Sequence, residues 1–363
     1  MGQVRPFVEG DIPRVARLHR MVFRAADRAD AGSLDAYYAY FMRVFLDSPV
    51  RDSDLPSLVC EDHDRIVGFL GVVPRRMTMK GHRFQAAIGS QFIVDPVAPF
   101  GSVAVRLART FLEGPQDLSI SDEASDIERK IWEGLGGMTA LLRSLHWTRP
   151  LRPAAFAVAT VRRRPRLTPL AFPLGPLAAM VDGMATHLPH SHFHQAKPTG
   201  SAAESLTEQA VLSYLAALEP NGSLHVEYDE PTLHWMLEQA RQRRAAGALH
   251  AAIVKTDRRI IGWYLYHLDR DRVANVLHIA AERPSAREVL DHLFYQAGAQ
   301  GAIAATGRLE PQYLQALSDA YCLFHRRGPW VLLNTGISDL VRSFETDDAL
   351  FSRFDGEWCL GYC

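Results

Sequence analysis

The chain has 363 residues, 47% of them apolar, and a formal net charge of -1. That length favours two domains over one, the apolar content excludes a disordered chain, and the near-neutral charge leaves no global field to recruit nucleic acid or an anionic membrane. Four cysteines, Cys60, Cys322, Cys359 and Cys363, lack C-x-x-C spacing and exclude a disulfide framework, which suits a reducing cytoplasm.

The opening Met-Gly-Gln-Val-Arg-Pro has no apolar segment behind it and reads as no signal peptide; Pro6 stands where a myristoylation pattern needs Ser or Thr. Val4 to Val8 is a short strand. Ile12, Val15, Leu18 and Val22 then recur at helical spacing, with Asp11 placed to cap that helix. A second amphipathic helix runs from Ser33 to Leu46. Ser57 to Glu61 and Ile66 to Pro74 make a hairpin about Asp62-His63-Asp64-Arg65. Another reversal at Gly81-His82 leads into an apolar strand from Ala87 to Val94. A Pro/Gly/Ser turn, a helix from Val103 to Leu112, a strand from Leu118 to Ser121, a helix ending at Gly137 and a closing strand from Met138 to Trp147 complete the first half.

Residues 151–200 are rich in Pro, Arg and His and read as a connector between a first domain, 1–150, and a second, 201–363. Its apolar run from Leu167 to Ala185 is broken by Pro169, Pro173, Gly175, Pro176 and Asp182, each unsuited to lipid, so no membrane span is expected. His187, His190, His192 and His194 alternate in a way that could gather imidazoles, yet no Cys or Glu joins them, and no metal is expected. Arg162 to Arg166 is read as a solvated basic run. The second half repeats the element order of the first: helices from Leu206 and Pro231, a hairpin over Ala251 to His267, a strand from Val273 to Ala280, a helix from Ser285, a strand from Ala302, a helix from Pro311 and a strand from Trp330 to Asn334. Gly68 and Gly262 take equivalent places in the two hairpins. The whole is a mixed α/β pattern, read as two similar folds in tandem.

Chemistry concentrates between Ala87 and Gly137. A strand delivering a Gly/Ser turn onto a helix start makes a cradle of unpaired N–H groups suited to a pyrophosphate. At the end of the neighbouring strand, Asp122 and Glu123 are candidate bases and Ser121 could orient a water or a thiol; the ordinary alternatives are a helix cap for Asp122 and a turn residue for Ser121. His278, on the central strand of the second half, is a candidate base whose ordinary alternative is a hydrogen-bonded core histidine. Asp355-Gly356-Glu357-Trp358 is read as a β-turn.

Val94-Asp95-Pro96, the small residues Gly101, Ser102 and Ala104, and Leu135-Gly136 after a helix resemble the motifs of the GNAT superfamily of acyl-CoA N-acyltransferases. The resemblance implies two GNAT-like folds in tandem and transfer of an acyl group from acyl-CoA, acetyl or longer, to an amine of a small molecule or peptide. It implies that Phe92, Ile93 and Val94 hold the donor's pantetheine through the backbone and that Phe100, Gly101, Ser102, Val103 and Ala104 receive its pyrophosphate. Pro99 stands where the family has Arg or Gln, and Trp132 where it has the tyrosine that protonates the leaving thiolate. No donor motif precedes the second half's helix at Ala286, so that half is expected to shape the acceptor pocket or a homodimer surface. A non-catalytic ligand-binding or scaffold protein and a Fem-like aminoacyl-tRNA-dependent transferase are the alternatives; the latter expects a helical arm and a basic face that the sequence does not show.

Overall fold

The structure, a computed structural model, describes residues 2–24, 33–98, 100–162, 174–187, 191–193, 195–217, 222–257 and 259–362. Strand β1 (Gln3–Pro6) leads through a 3-10 turn into helix α1 (Ile12–Arg24), and α2 (Leu34–Phe41) continues through a π turn to Leu46. Ser33 caps α2 by accepting the Ala36 N–H at 3.1 Å. Asp11 closes the turn ahead of α1, accepting the Val8 N–H and pairing with Arg5 and Arg14. Strands β2 (Leu58–Asp62) and β3 (Arg65–Met79) form the expected hairpin; His63 and Asp64 supply the two positive φ angles, 47° and 60°, of its two-residue turn.

Strand β3 is longer than expected, running on past Pro74 through Met77 to Met79. Pro74 is tolerated because β2 pairs with β3 only as far as Leu70, and the later strand Leu224–Val226 only at Met77 and Thr78. Next come β4 (His82–Val94), α3 (Phe100–Leu112), β5 (Leu118–Ala124) and α4 (Asp126–Gly134).

The single closing strand expected from Met138 to Trp147 is instead two, β6 (Met138–Thr139) and β7 (His146–Pro150), parted by a 3-10 turn at Leu142–Ser144. Buried Arg143 fixes that turn, donating to the Phe344 carbonyl at 3.0 Å and the Ala349 carbonyl at 2.7 Å. The segment read as a connector carries α5 (Pro153–Arg162) and α6 (Leu174–His187). Then follow β8 (Ala202–Ser205), α7 (Glu208–Ala217), β9 (Leu224–Val226), α8 (Glu230–Gln242), β10 (Ala248–Thr256), β11 (Arg259–Leu268), β12 (Val273–Ala281) and α9 (Ala286–Ala299). The chain ends through β13 (Ala304–Arg308), α10 (Leu314–Asp319), β14 (Leu323–His325), β15 (Trp330–Asn334), α11 (Ser338–Glu345), β16 (Ala349–Leu350) and a 3-10 turn at Glu357–Leu360.

Among the described residues the strands make two mixed sheets. The first runs β1-β2-β3-β4-β5-β15-β6, with β9 and β16 attached through β3; the second runs β14-β7-β13-β12-β11-β10-β8. Each belongs to one compact unit: residues 1–144, 220–239 and 329–362 form the first, 145–219 and 240–328 the second. The boundaries read at 150 and 200 differ from these because the chain exchanges strands between its halves. Strand β15 lies antiparallel between β5 and β6, and β7 lies antiparallel between β13 and β14.

In the first unit α3 buries Val103, Ala104, Leu107 and Phe111 against Leu70, Val72 and Ala87 of the sheet, with Trp132 and Leu332 alongside. Gly68 lets the helix in: a Cβ there would lie 2.7 Å from Leu107 and 2.8 Å from Val103. In the second unit Leu290, Leu293 and Phe294 pack on Trp147, Tyr264, Tyr266 and Val276. Each such large apolar side chain contributes about 1.5–3 kcal/mol on burial. Among the described residues no helix is long and apolar enough to cross a membrane.

Candidate active site

The parallel strands β4 and β5 pair only at Ala86–Ile88 with Leu118–Ile120, then part. The parting begins in a bulge of β4, where Ser90 pairs with Gly71 and Ile93 with Phe69, leaving Gln91 and Phe92 opposite Leu70. Gln91 takes φ of +53° at that bulge, and its N–H turns to the Glu357 carboxylate at 2.9 Å. Strand β5 meanwhile pairs on its far side with β15. What stands between the parted strands is therefore the chain's own C-terminal turn.

That turn is held at many points. The Glu357 N–H donates to Asp122 Oδ1 at 2.6 Å, and Gly356 lies so close that a Cβ there would meet Asp122 Oδ2 at 2.0 Å. Asp355 accepts the Ser352 N–H at 2.6 Å, the Ser352 hydroxyl at 2.8 Å and the Tyr228 hydroxyl, while its carbonyl accepts Arg75 Nε at 3.1 Å. Arg353 donates to Glu123 at 2.9 Å and 3.0 Å, and Tyr40 to the Leu360 carbonyl at 2.6 Å. Asp355-Gly356-Glu357-Trp358, read as a β-turn, is instead a bend at Gly356 that opens the 3-10 turn Glu357–Leu360, and it brings a carboxylate to the parted strands.

Helix α4 brings another. Its cap is Ser125, which accepts the Glu128 N–H at 3.2 Å, so Asp122 does not cap this helix as the ordinary reading had it. Ser121, read as a turn residue or as an orienter of water or thiol, donates its hydroxyl to Glu128 at 2.8 Å. Three carboxyls thus converge: Asp122, Glu128 and Glu357. Burial, then the Asp122 charge, pushes Glu128 up to about 6 against the opposing Ser121 hydrogen bond. Burial, then Glu128 and Asp122, holds Glu357 well above the usual carboxylate range. Asp122 has no exposed surface, whereas Glu128 and Glu357 each keep some.

From α1, His19 Nε2 stands 2.8 Å from Gln91 Oε1, which can only accept, so that nitrogen carries the proton and Nδ1 accepts from the Tyr37 hydroxyl at 3.1 Å. Burial lowers His19 to about 4, keeping it neutral at physiological pH. Tyr362 stacks on Tyr37 with ring centres 4.1 Å apart.

At the far end of β4, Ile93 and Val94 pair with β3 through Phe69 and Gly68. The turn Val94-Asp95-Pro96 is shaped by buried Asp95, whose carboxylate accepts the Val97 N–H at 2.9 Å and pairs with Arg65 at 3.1 Å. Helix α3 starts at Phe100 and not at Val103 as expected, so residues read as a turn form its first turn, with Gly101 and Ser102 exposed and nothing within 4 Å of a Cβ built on Gly101. Val103 and Ala104 face the core, so only their backbone could serve a ligand. Pro99 lies outside the described residues. Trp132 is 2% exposed and packs on Phe111, which makes it a core residue.

The structure does not gather every candidate in one unit. Asp122, Ser121 and the residues from Phe92 to Ala104 belong to the first; His278 belongs to the second, on β12 past its pairing with β13, with its ring 4.0 Å from that of Trp263. Of the histidine tract, His192 packs on Tyr321; His190 and His194 lie outside the described residues, as do Arg163 to Arg166. Among the described residues no group of three or more His, Cys, Asp or Glu could hold a metal ion. Sequence reasoning missed Gln91, Glu128 and Glu357. Only Glu128 carried a signal, the Ser125-Asp126-Ile127-Glu128 capping-box spacing, and that signal spoke of the helix rather than the site.

No protein-family model matches the chain, and no curated protein sequence matches it. Solved structures do. A probable N-acyltransferase of unknown function from Enterococcus faecalis V583 superposes with TM-score 0.57 at 10% identity, covering 92% of this chain and 72% of that one. A GCN5-related N-acetyltransferase from Kribbella flavida gives TM-score 0.55 at 13% identity, covering 92% and 70%. Another GCN5-related N-acetyltransferase, from Anabaena variabilis, gives 0.55 at 10% identity, covering 92% and 72%. At these identities the likeness is one of fold.

Proposed function

Because this chain has the fold of the GNAT superfamily, we propose that it transfers an acyl group from acyl-CoA to an amine of a small molecule or peptide, using the parting of β4 and β5 as its reaction site. The observation that carries this reading is the parallel strand pair that opens after Ile88 and Ile120 and leads directly to the exposed start of α3. The strand edge at Phe92, Ile93 and Val94 takes the donor's pantetheine and polarises its thioester carbonyl through backbone N–H groups. The first turn of α3 has N–H groups without intrahelical acceptors, those of Phe100, Gly101 and Ser102, and the positive end of the helix dipole, which suit a pyrophosphate, with Val103 and Ala104 following beneath it. Much of the acceleration comes from holding amine and thioester together, with the acidic cluster taking the ammonium proton.

The fit is tested with acetyl-CoA and longer acyl-CoAs. Binding raises the melting temperature progressively with concentration, by the equivalent of about 2.7 kcal/mol at a hundred times the dissociation constant. Thiol release against an amine library then reads turnover; no shift with any acyl-CoA would falsify the reading. A ligand-binding protein without turnover is the second reading, favoured by Trp132, a core residue where the superfamily's proton-donating tyrosine is expected. It gives the thermal shift without thiol release.

A further inference from the structure

We infer that Glu357, carried by the C-terminal turn into the parted strands, is the group that accepts the proton of the incoming ammonium, with Asp122 and Gln91 as its positioning residues. The inference rests on the acyl-transfer reading and assigns its base.

Three observations converge on Glu357. Its carboxylate stands where β4 and β5 separate, fixed by the Gln91 N–H at 2.9 Å, and its own N–H is fixed by Asp122 at 2.6 Å. Asp122, the strand-end acid, has no exposed surface and presses against Gly356, so it cannot meet an acceptor; Glu357 retains open surface. The turn is clamped in place by Arg75, Tyr228, Ser352 and Arg353.

The groups facing Glu357 set its proton affinity: Glu128 from α4, Asp122 and Glu123 from β5, and Gln91 from β4, with Arg353 of its own turn engaged by Glu123. Burial first, then these negative charges, raises the basicity of the carboxylate, and the charges also attract an ammonium. Glu357 removes one proton from the ammonium. The freed nitrogen lone pair attacks the thioester carbonyl carbon, and the new C–N bond forms. The C–S electron pair leaves on sulfur, and the second N–H proton passes to that thiolate. The products are an amide and a free thiol, with the first proton returned from Glu357 to water.

The test compares wild type with Glu357→Gln and Glu357→Asp, each checked for an unchanged melt and for unchanged acyl-CoA binding by thermal shift. We expect Glu357→Gln to lower kcat by about 10²–10⁴ with KM for acyl-CoA within threefold, and to abolish the acid limb of the kcat/KM profile against pH. Glu357→Asp should restore that limb at reduced kcat. A Glu357→Gln protein with wild-type kcat and an unaltered acid limb overturns the assignment and leaves acyl transfer standing. Wild-type protein that releases no thiol with any acyl-CoA and amine overturns both.

Discussion

Glu128 shows how one residue answers two demands. Its spacing from Ser125 belongs to a helix start, and its N–H is indeed capped there, but its carboxyl turns back to the Ser121 hydroxyl instead of closing a capping box. The consequence is measurable as stability. Glu128 titrates near the ordinary value of 4.5 in the unfolded chain and at about 6 in the folded protein. Between those values the folded state holds more protons, so stability falls as pH rises through that window and the loss is complete above it. Glu128→Gln cannot ionise and keeps an oxygen for Ser121. Its urea midpoint should match wild type near pH 4 and exceed it at pH 8 by the equivalent of about 2 kcal/mol. A variant less stable than wild type at pH 8 would show that the charged carboxylate is a net asset to the fold.

At the scale of elements, what could be read from the sequence was what neighbours in the chain decide. The hairpin of β2 and β3 and the turn Val94-Asp95-Pro96 each follow from a handful of consecutive residues, whereas α3 takes in residues read as the turn ahead of it. The reading stopped β3 at Pro74, whereas pairing with β4 carries it on to Met79, and the Met138 strand misled because Arg143, which breaks it, finds its acceptors at Phe344 and Ala349. The C-terminal turn was silent as a site for the same reason: its partners, Gln91 and Asp122, are remote in sequence. Its order therefore depends on a few long-range bonds. Tyr228→Phe removes the hydroxyl that Asp355 accepts without opening a cavity, a hydrogen bond to a charged group of about 1.5–3 kcal/mol. Hydrogen exchange should accelerate at residues 352–360 in this variant and stay unchanged in β12. Equal exchange in both proteins would show that Arg75, Ser352 and Arg353 hold the turn without it.

For the whole molecule, the reading of two folds in succession missed which segment completes which sheet. Hydrophobic pattern identifies Trp330 to Asn334 as a strand but says nothing of its partners, because a buried strand between two others shows the same apolar run in either sheet. The structure seats it beside β5, pairing residues about 200 positions apart, a separation of the kind that slows folding. Residues 1–150 consequently lack the strand that joins β5 to β6: the backbone edge of Ile120 and Ser121 would lose its partners at Leu333 and Leu332, and the buried side of Trp132 would lose Leu332. Residues 201–363 equally lack β7, leaving β13 and β14 unconnected and Phe294 without Trp147. Each fragment exposes an apolar core face together with an unpaired strand edge, which is a template for aggregation. Expressed alone, residues 1–150 should melt without a cooperative transition, and co-expression with residues 151–363 should restore one by supplying β15 in trans. If the 1–150 fragment melts sharply by itself, β15 is an accessory to the first sheet and the strand exchange contributes little to its stability.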